Sequence, residues 1–469
     1  MLTQYPGAIA LRDAMLSKEV SALEVMQACL ARQEETEPRL NSFVTRTPEM
    51  ALAAAHRADQ CLARGAQPGA LHGLPISVKD LIAIGGVHQT FGSRVMKDHV
   101  AQCDAPAVAR IKAAGACIVG TTTTSEFGCK AVGDSPLTGV TRNPWNTDKT
   151  PGGSSCGAAA SVAAGVTPFA LGTDGGGSIR EPSSFTGLFG IKAQFGRVPV
   201  FPASATPTLA HVGPLARTVR DAALLLGAIS GYDARDPFSI TAAVPDFLGA
   251  CGQPVKGMKL AWSPTLGYAK PDREIVTITE RAVRAFEAMG CEIIDLGEAF
   301  GSDPADVWMA EFYAGVGTRL NDAMCNSRDL LCPAVSSLLE SALDQSLLGY
   351  YTQVFERYRF REKVRTMFDG FDLLLTPTVP VCAFDVEVNV PPQFADRNAC
   401  SWQYYTYPFN LTGQPAASLP VGFTASGLPV GLQLVAKLHC ETDIFRAAAA
   451  YEDLHTWTSM RPPQASRDR

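Results

Sequence analysis

Apolar positions recur at helical spacing over residues 8–35. Leu11, Met15, Val20, Leu23, Met26 and Leu30 fall on one stripe there and predict an amphipathic helix. Two later segments follow a different pattern. Near 105–120 a helical stretch ends in Ala113-Ala-Gly115 and leads into the apolar run Ala116-Cys-Ile-Val119. Near 272–296, Ile275, Ile278, Ala282, Phe286 and Met289 form a helical stripe, and Gly290 then precedes Cys291-Glu-Ile-Ile-Asp-Leu296. A glycine that closes a helix just ahead of a short β-branched run predicts an αβ unit. Met258-Lys-Leu-Ala-Trp262 precedes the second of these helices, so a βαβ unit is expected. Together these patterns predict an α/β protein with a mainly parallel or mixed sheet.

Residues 231–257 carry Gly, Asp and Pro punctuation and read as a long surface connection. Residues 300–370 are helical in pattern and rich in Trp, Tyr, Phe and Arg, as a cap over a site would be. No stretch has linker composition, so one domain over 1–469 is expected. Its parts are N-terminal helices at about 1–60, a core at about 61–230 and 371–456, and a variable cap or substrate region at about 300–370. The last ten residues, from Met460, are expected to fray.

Composition narrows the function classes. Of 469 residues, 46% are hydrophobic and 18% charged, below the ~25% charge of average globular proteins, which excludes a disordered chain. The formal net charge is −6 and no run of Lys or Arg occurs, so nucleic acid is not an expected partner. Thirteen Cys occur without CxxC or zinc-ligand spacing. They read as reduced, small apolar residues of a cytoplasmic protein, with no metal implied. The N-terminus lacks a basic leader, and the longest low-polarity stretch (158–172) is shorter than the ~20 residues of a membrane span, so no membrane association is expected.

Candidate chemistry concentrates in 151–190, which holds ten glycines and only three charged residues, Asp174, Arg180 and Glu181. Two serine-bearing glycine loops, Gly152-Gly-Ser-Ser155 and Gly175-Gly-Gly-Ser178, flank a small-residue helix. Consecutive glycine N–H groups before a serine suit an oxyanion hole, although a plain flexible turn or a phosphate nest has the same composition. Neither GxxxxGK[ST] nor GxGxxG is present here, which weakens the nucleotide reading. Gly153-Ser-Ser-Cys-Gly157 matches GxSxG, but the residues before it are polar and turn-rich, not the buried strand that a nucleophile elbow needs. None of the seven His has a context that marks it as a base. Lys79 is the alternative, inside the strand-like apolar run Leu74-Pro-Ile-Ser-Val-Lys-Asp-Leu-Ile-Ala-Ile84. Its stem either snorkels to the surface or is buried, and burial lowers a lysine pKa towards that of a general base.

These residues resemble the amidase signature family. The match rests on Lys79 in a G-x-P-x-x-V-K-D context, on Pro151-Gly-Gly-Ser-Ser155 and on Gly172-Thr-Asp-Gly-Gly-Gly-Ser-Ile-Arg-Glu-Pro182. Further matches include Asn143-Pro-Trp145, Gly190-Ile-Lys192, Gly213-Pro-Leu-Ala-Arg-Thr218 and Gly427-Leu-Pro-Val-Gly-Leu-Gln433, so the likeness spans nearly the whole chain. The resemblance implies an α/β amidase-signature fold, a large central mixed β-sheet covered by helices on both faces. It implies a Ser–Ser–Lys triad with Ser178 as nucleophile, Lys79 as ultimate base and acid, and Ser154, preceded by a cis peptide bond, as the shuttle between them. Backbone N–H groups of Gly175, Gly176 and Gly177 would form the oxyanion hole. Ser155, Asp174 and Arg180 would support the triad by hydrogen bonding and ion pairing, and Gly128 would line the substrate pocket. Cys156, where the family usually has Gly, reads as a packing residue.

The implied activity is cofactor-independent hydrolysis of a small-molecule carboxamide through an acyl-enzyme, with aryl amides, carbamates or esters as related substrates. The alternatives are the glutaminase (A-type) subunit of a tRNA-dependent amidotransferase and a ureide or carboxybiuret-type hydrolase. Val198-Pro-Val-Phe-Pro-Ala-Ser-Ala-Thr-Pro207 does not resemble the transamidase version, which favours a stand-alone enzyme. A homodimer is the default assembly. Trp308, Phe312, Tyr313, Trp402, Tyr404 and Tyr405 hint at an apolar or aromatic substrate.

Overall fold

A computed structural model describes residues 7–455 and 457–463. Its centre is one eleven-stranded sheet. The strands are β1 (Phe43–Arg46), β2 (Pro75–Lys79), β3 (Cys117–Thr122), β4 (Phe169–Asp174), β5 (Phe189–Lys192) and β6 (His211–Ala216). The remainder are β7 (Lys259–Trp262), β8 (Glu292–Asp295), β9 (Leu373–Pro377), β10 (Ala416–Phe423) and β11 (Pro429–Ala436). Across the sheet they run β1-β3-β2-β4-β6-β5-β10-β11-β9-β7-β8. The β3-β2-β4 and β9-β7-β8 groups pair in parallel, while the middle of the sheet is antiparallel. Strands before residue 200 and after residue 410 therefore meet edge to edge, as when Ala416 pairs with Lys192.

The N-terminal helix predicted over 8–35 is two helices, α1 (Ala8–Leu16) and α2 (Ala22–Leu40). The break has a local cause. Ser21 and Glu24 form a reciprocal capping box that starts a new helix, and Lys18 in the connection has φ of 63°. The predicted αβ unit is α4 (Pro106–Ala113) followed by β3, after α3 (Pro48–Ala63). The predicted βαβ is β7, then α8 (Arg273–Ala288), then β8, with β7 and β8 parallel. The intervening helices are α5 (Cys156–Ala163), α6 (Arg180–Thr186) and α7 (Val219–Ile229).

Every residue of α5 is buried, and it packs against β2, β3 and β4. Its small side chains explain that placement, since a bulky helix would hold the sheet further from the serines at its N-terminus. Residues 300–370 are helical as expected, with α9 (Ala305–Arg319), α10 (Pro333–Leu343) and α11 (Leu347–Met367). A last helix, α12 (Glu441–Leu454), lies against β10 and β11. Of the C-terminal residues expected to fray, 464–469 lie outside the described residues. No helix among the described residues is long and apolar enough to cross a membrane.

Candidate active site

Lys79 is the last residue of β2, a strand whose five residues are all buried. The apolar run continues to Ile84 in sequence, but the strand ends at Lys79, so the lysine sits where the sheet opens rather than in its middle. Its side chain is 0% exposed, which excludes the snorkelling alternative. Nζ lies 2.7 Å from Ser154 Oγ, 2.9 Å from Ser155 Oγ and 2.8 Å from Thr173 Oγ1. Burial lowers its pKa from the ordinary lysine range to about 7, against weaker opposing effects of Cys156, Asp174 and Glu181. An ammonium could donate to all three hydroxyls, whereas the neutral amine donates two hydrogens and accepts one.

Ser154 stands at the turn before α5, is buried, and follows a cis Gly153–Ser154 peptide. Gly128 backs it. This residue has φ of +73°, and a Cβ there would come 3.2 Å from Ser154 Oγ and 3.1 Å from Leu81 Cδ1. Ser155 bridges the two serine loops, its N–H donating to Ser178 O at 3.3 Å and its hydroxyl to Thr173 O at 3.2 Å. Cys156 starts α5 with its thiol buried and directed at Thr123 O, 3.3 Å away, as a packing residue would be.

Ser178 follows β4 through the turn 175–177 and is half-buried, and both Ser154 and Ser178 line a cavity of about 480 Å³. Among the described residues, the amides of Gly175, Gly176, Gly177 and Ser178 have no hydrogen-bond acceptor. Gly175 and Ser178 line the cavity, and the Cα faces of Gly176 and Gly177 are covered by other groups. Gly176 faces the Trp308 ring, and Gly177, at φ +149°, faces Glu181 and Thr406.

Asp174 and Arg180 form a fully buried bidentate pair, with Arg180 Nη2 to Asp174 Oδ1 at 2.9 Å and Nε to Oδ2 at 3.0 Å. The other guanidinium hydrogens go to Thr406 O, Gln433 Oε1 and Asn410 Oδ1, so all five donors are used. Burial alone would raise the Asp174 carboxyl, but the Arg180 charge and hydrogen bonds hold it well below its ordinary range. The pair ties the turn after β4 to segments more than 225 residues away.

Several residues at the site carry no distinguishing sequence signal. Thr173 is the third hydroxyl on Lys79. Its place beside Asp174 in the Gly-Thr-Asp run is the one hint that could have found it. Phe91, Phe127 and the 199–206 segment form cavity walls, and Trp308 Nε1 donates to Gly175 O at 2.8 Å. Of the six aromatics named from sequence, only Phe312 lines the cavity. Tyr313 donates to Cys129 O, and Trp402, Tyr404 and Tyr405 belong to a separate core cluster.

The Amidase sequence profile matches residues 24–444. The chain is 35% identical over 480 residues to the A-type subunit of the Glutamyl-tRNA(Gln) amidotransferase of Geobacter sp. (strain M21), covering 97% of this chain and 98% of that one. It is 32% identical over 464 residues to the Acylamidase of Rhodococcus erythropolis, covering 97% of both. Its fold is similar to that of a bacterial aryl acylamidase of the amidase signature enzymes (TM-score 0.91, 29% identity, 97% of both chains). It is also similar to 6-aminohexanoate cyclic dimer hydrolase (TM-score 0.90, 27% identity, 98% of this chain and 99% of that one). With a mixed sheet of the same architecture and a profile match over most of its length, the chain belongs to the amidase signature family and is a hydrolase of carbon–nitrogen bonds in amides.

Proposed function

We propose that the chain hydrolyses a small-molecule carboxamide through an acyl-enzyme on Ser178, with Ser154 as proton shuttle and Lys79 as the terminal base and acid. One observation carries the reading. A fully buried lysine with its pKa brought to about 7 lies 2.7 Å from Ser154, and Ser154 shares a cavity with Ser178. In this reaction the Ser178 proton passes to Ser154 as the Ser154 proton passes to Lys79, and Ser178 Oγ attacks the carbonyl carbon. Backbone amides of 175–178 receive the oxyanion. The carbon–nitrogen bond breaks, the amine leaves with a proton returned through Ser154, and water then releases the acid by the same route.

Mass spectrometry of the protein quenched during turnover of an activated ester tests this. An acyl adduct on Ser178 is expected, absent from Ser178→Ala, and amide hydrolysis that survives Ser178→Ala would overturn the reading. A second reading, the glutaminase component of a tRNA-dependent amidotransferase, is favoured by the likeness to A-type amidotransferase subunits. It requires glutamine-dependent ammonia release and a copurifying partner.

A further inference from the structure

The cavity in front of the serines has a built aromatic mouth. Phe91 and Phe127 lie on separate loops, their rings stacked with centroids 5.7 Å apart and 19° between planes. Both line the cavity, and both hold left-handed backbone angles, with φ of 54° and 49°. Bulky residues rarely take that conformation, which persists only where the surroundings enforce it.

The enforcing contacts are buried. Phe127 N–H donates to Phe91 O at 2.8 Å, joining the loops directly. Asp80, next to Lys79, accepts from Thr90 N–H at 3.0 Å and from its hydroxyl at 2.5 Å, which fixes the Phe91 loop. Glu126 accepts from Ser93 Oγ and from Cys332 N–H, each at 2.7 Å, which fixes the Phe127 loop to the cap. Both carboxylates are 0% exposed.

The pair stands next to the chemistry, because Phe127 directly precedes Gly128, the residue that backs Ser154. Phe312, also on the cavity wall, packs on Gly175, whose Cβ would come 2.8 Å from the ring. Aromatic residues therefore adjoin both serine loops, Phe127 through Gly128 beside Ser154 and Phe312 through Gly175 in the turn before Ser178. Among the described residues, the Asp, Glu, Lys and Arg that border the cavity are Asp174 and Arg319; of the two histidines there, His99 is exposed and His211 is buried with its pKa pushed well down by burial. Asp174 is consumed by Arg180, and Arg319 is exposed at the rim with its guanidinium on Ala203 O.

Resting on the acyl-enzyme reading above, we infer that Phe91 and Phe127 are specificity-determining residues that select an uncharged amide bearing a flat aromatic group, and that free glutamine is disfavoured. Glutamine would bring both an ammonium and a carboxylate against apolar walls that offer no buried partner of either sign. The ring can be attached at the carbonyl or at the nitrogen, and two probes separate these cases.

Calorimetric binding to the Ser178→Ala protein reads the pocket without the chemistry. Benzamide carries the ring on the carbonyl and acetanilide carries it on the nitrogen, with acetamide and L-glutamine as controls. At least one aromatic amide is expected to bind roughly tenfold or more tightly than both controls, the scale of burying one ring. Phe127→Ala and Phe91→Ala, each made in the Ser178→Ala background and checked for a native melting transition, should each remove most of that preference. Glutamine binding as tightly as the better aromatic amide would overturn the inference, as would a preference unchanged in both variants. Survival of hydrolysis in Ser178→Ala would instead overturn the acyl-enzyme reading and leave the binding comparison intact.

Discussion

Lys79 Nζ and Ser154 Oγ are 2.7 Å apart, with both residues buried and Ser154 on the cavity wall. The pairing joins the end of one strand to the turn before a helix, 75 residues later in the chain. Burial at this position brings the lysine pKa down to about 7. A base of that kind works only when deprotonated, so kcat/KM for a neutral amide is expected to rise with pH through about 7 and level off above. Lys79→Ala should lower kcat/KM by about 10²–10⁴ and abolish that rising limb. The same shift has a signed effect on stability. The folded lysine binds its proton more weakly than the unfolded one, so its contribution is fully present above the ordinary lysine range and falls away as pH drops towards 7. A profile flat between pH 6 and 8 would remove Lys79 as the base.

The buried pair of Arg180 and Asp174 organises the turn that carries Ser178 without touching the cavity through Arg180. Arg180→Ala leaves the Asp174 carboxylate charged, buried and unpaired, and should cost about 3–5 kcal/mol in urea unfolding. Arg180→Lys should recover little, because one ammonium cannot replace five donors aimed at four residues. Full stability in Arg180→Lys would show that charge alone matters here.

Where local pattern decides conformation, the sequence was sufficient. The glycines that close α4 and α8, Gly115 and Gly290, take φ of 90° and 88°, and the βαβ around α8 follows from them. Lys79, Ser154 and Ser178 stood out locally as a lysine in an apolar run and serines in glycine loops, but their grouping came from the family resemblance, and the structure places Lys79 beside Ser154 and both serines on one cavity. The break before Ser21 was not legible, since the apolar stripe runs on across it while the Ser21–Glu24 capping box starts a second helix. The cavity walls were hidden for another reason. Phe91 and Phe127 are ordinary hydrophobic residues, and only long-range contacts through Asp80 and Glu126 make them a wall. Conversely, Trp402 and Tyr405 attracted notice by type and proved to be core.

Trp308 shows how the cap reaches the chemistry. Its ring lies against Gly176, and its Nε1 donates to Gly175 O, which holds the Gly175–Gly176 peptide in the turn proposed to receive the oxyanion. Trp308→Phe keeps most of the packing and loses the donor. A fall in kcat of about 10–100-fold with KM within a factor of three is expected, because a small misplacement of such donors is costly. A rise in KM with unchanged kcat would make Trp308 a pocket wall instead of a brace.

Glu181 supplies a sharper test of the electrostatics under Ser178. It is 0% exposed, its Oε1 accepts from Thr406 Oγ1 at 3.3 Å, and Oε2 has no partner among the described residues. Burial first, and then the Asp174 charge, push its carboxyl well above the ordinary range, which favours the neutral acid. A neutral acid tolerates its amide isostere, and Glu181→Gln is expected to keep kcat within about threefold. The sign on stability follows from the raised pKa. The contribution of Glu181 is fully present below the unfolded carboxyl range near 4.3 and is lost as pH rises towards the folded value. Glutamine has no proton to lose, so thermal unfolding of Glu181→Gln and wild type, compared from pH 5 to 8, should diverge in favour of the variant as pH rises. Parallel curves, or a loss of kcat beyond about tenfold, would mean that a charged carboxylate is required beside Gly177, and that the oxyanion turn is organised by an ion rather than by a neutral hydrogen bond.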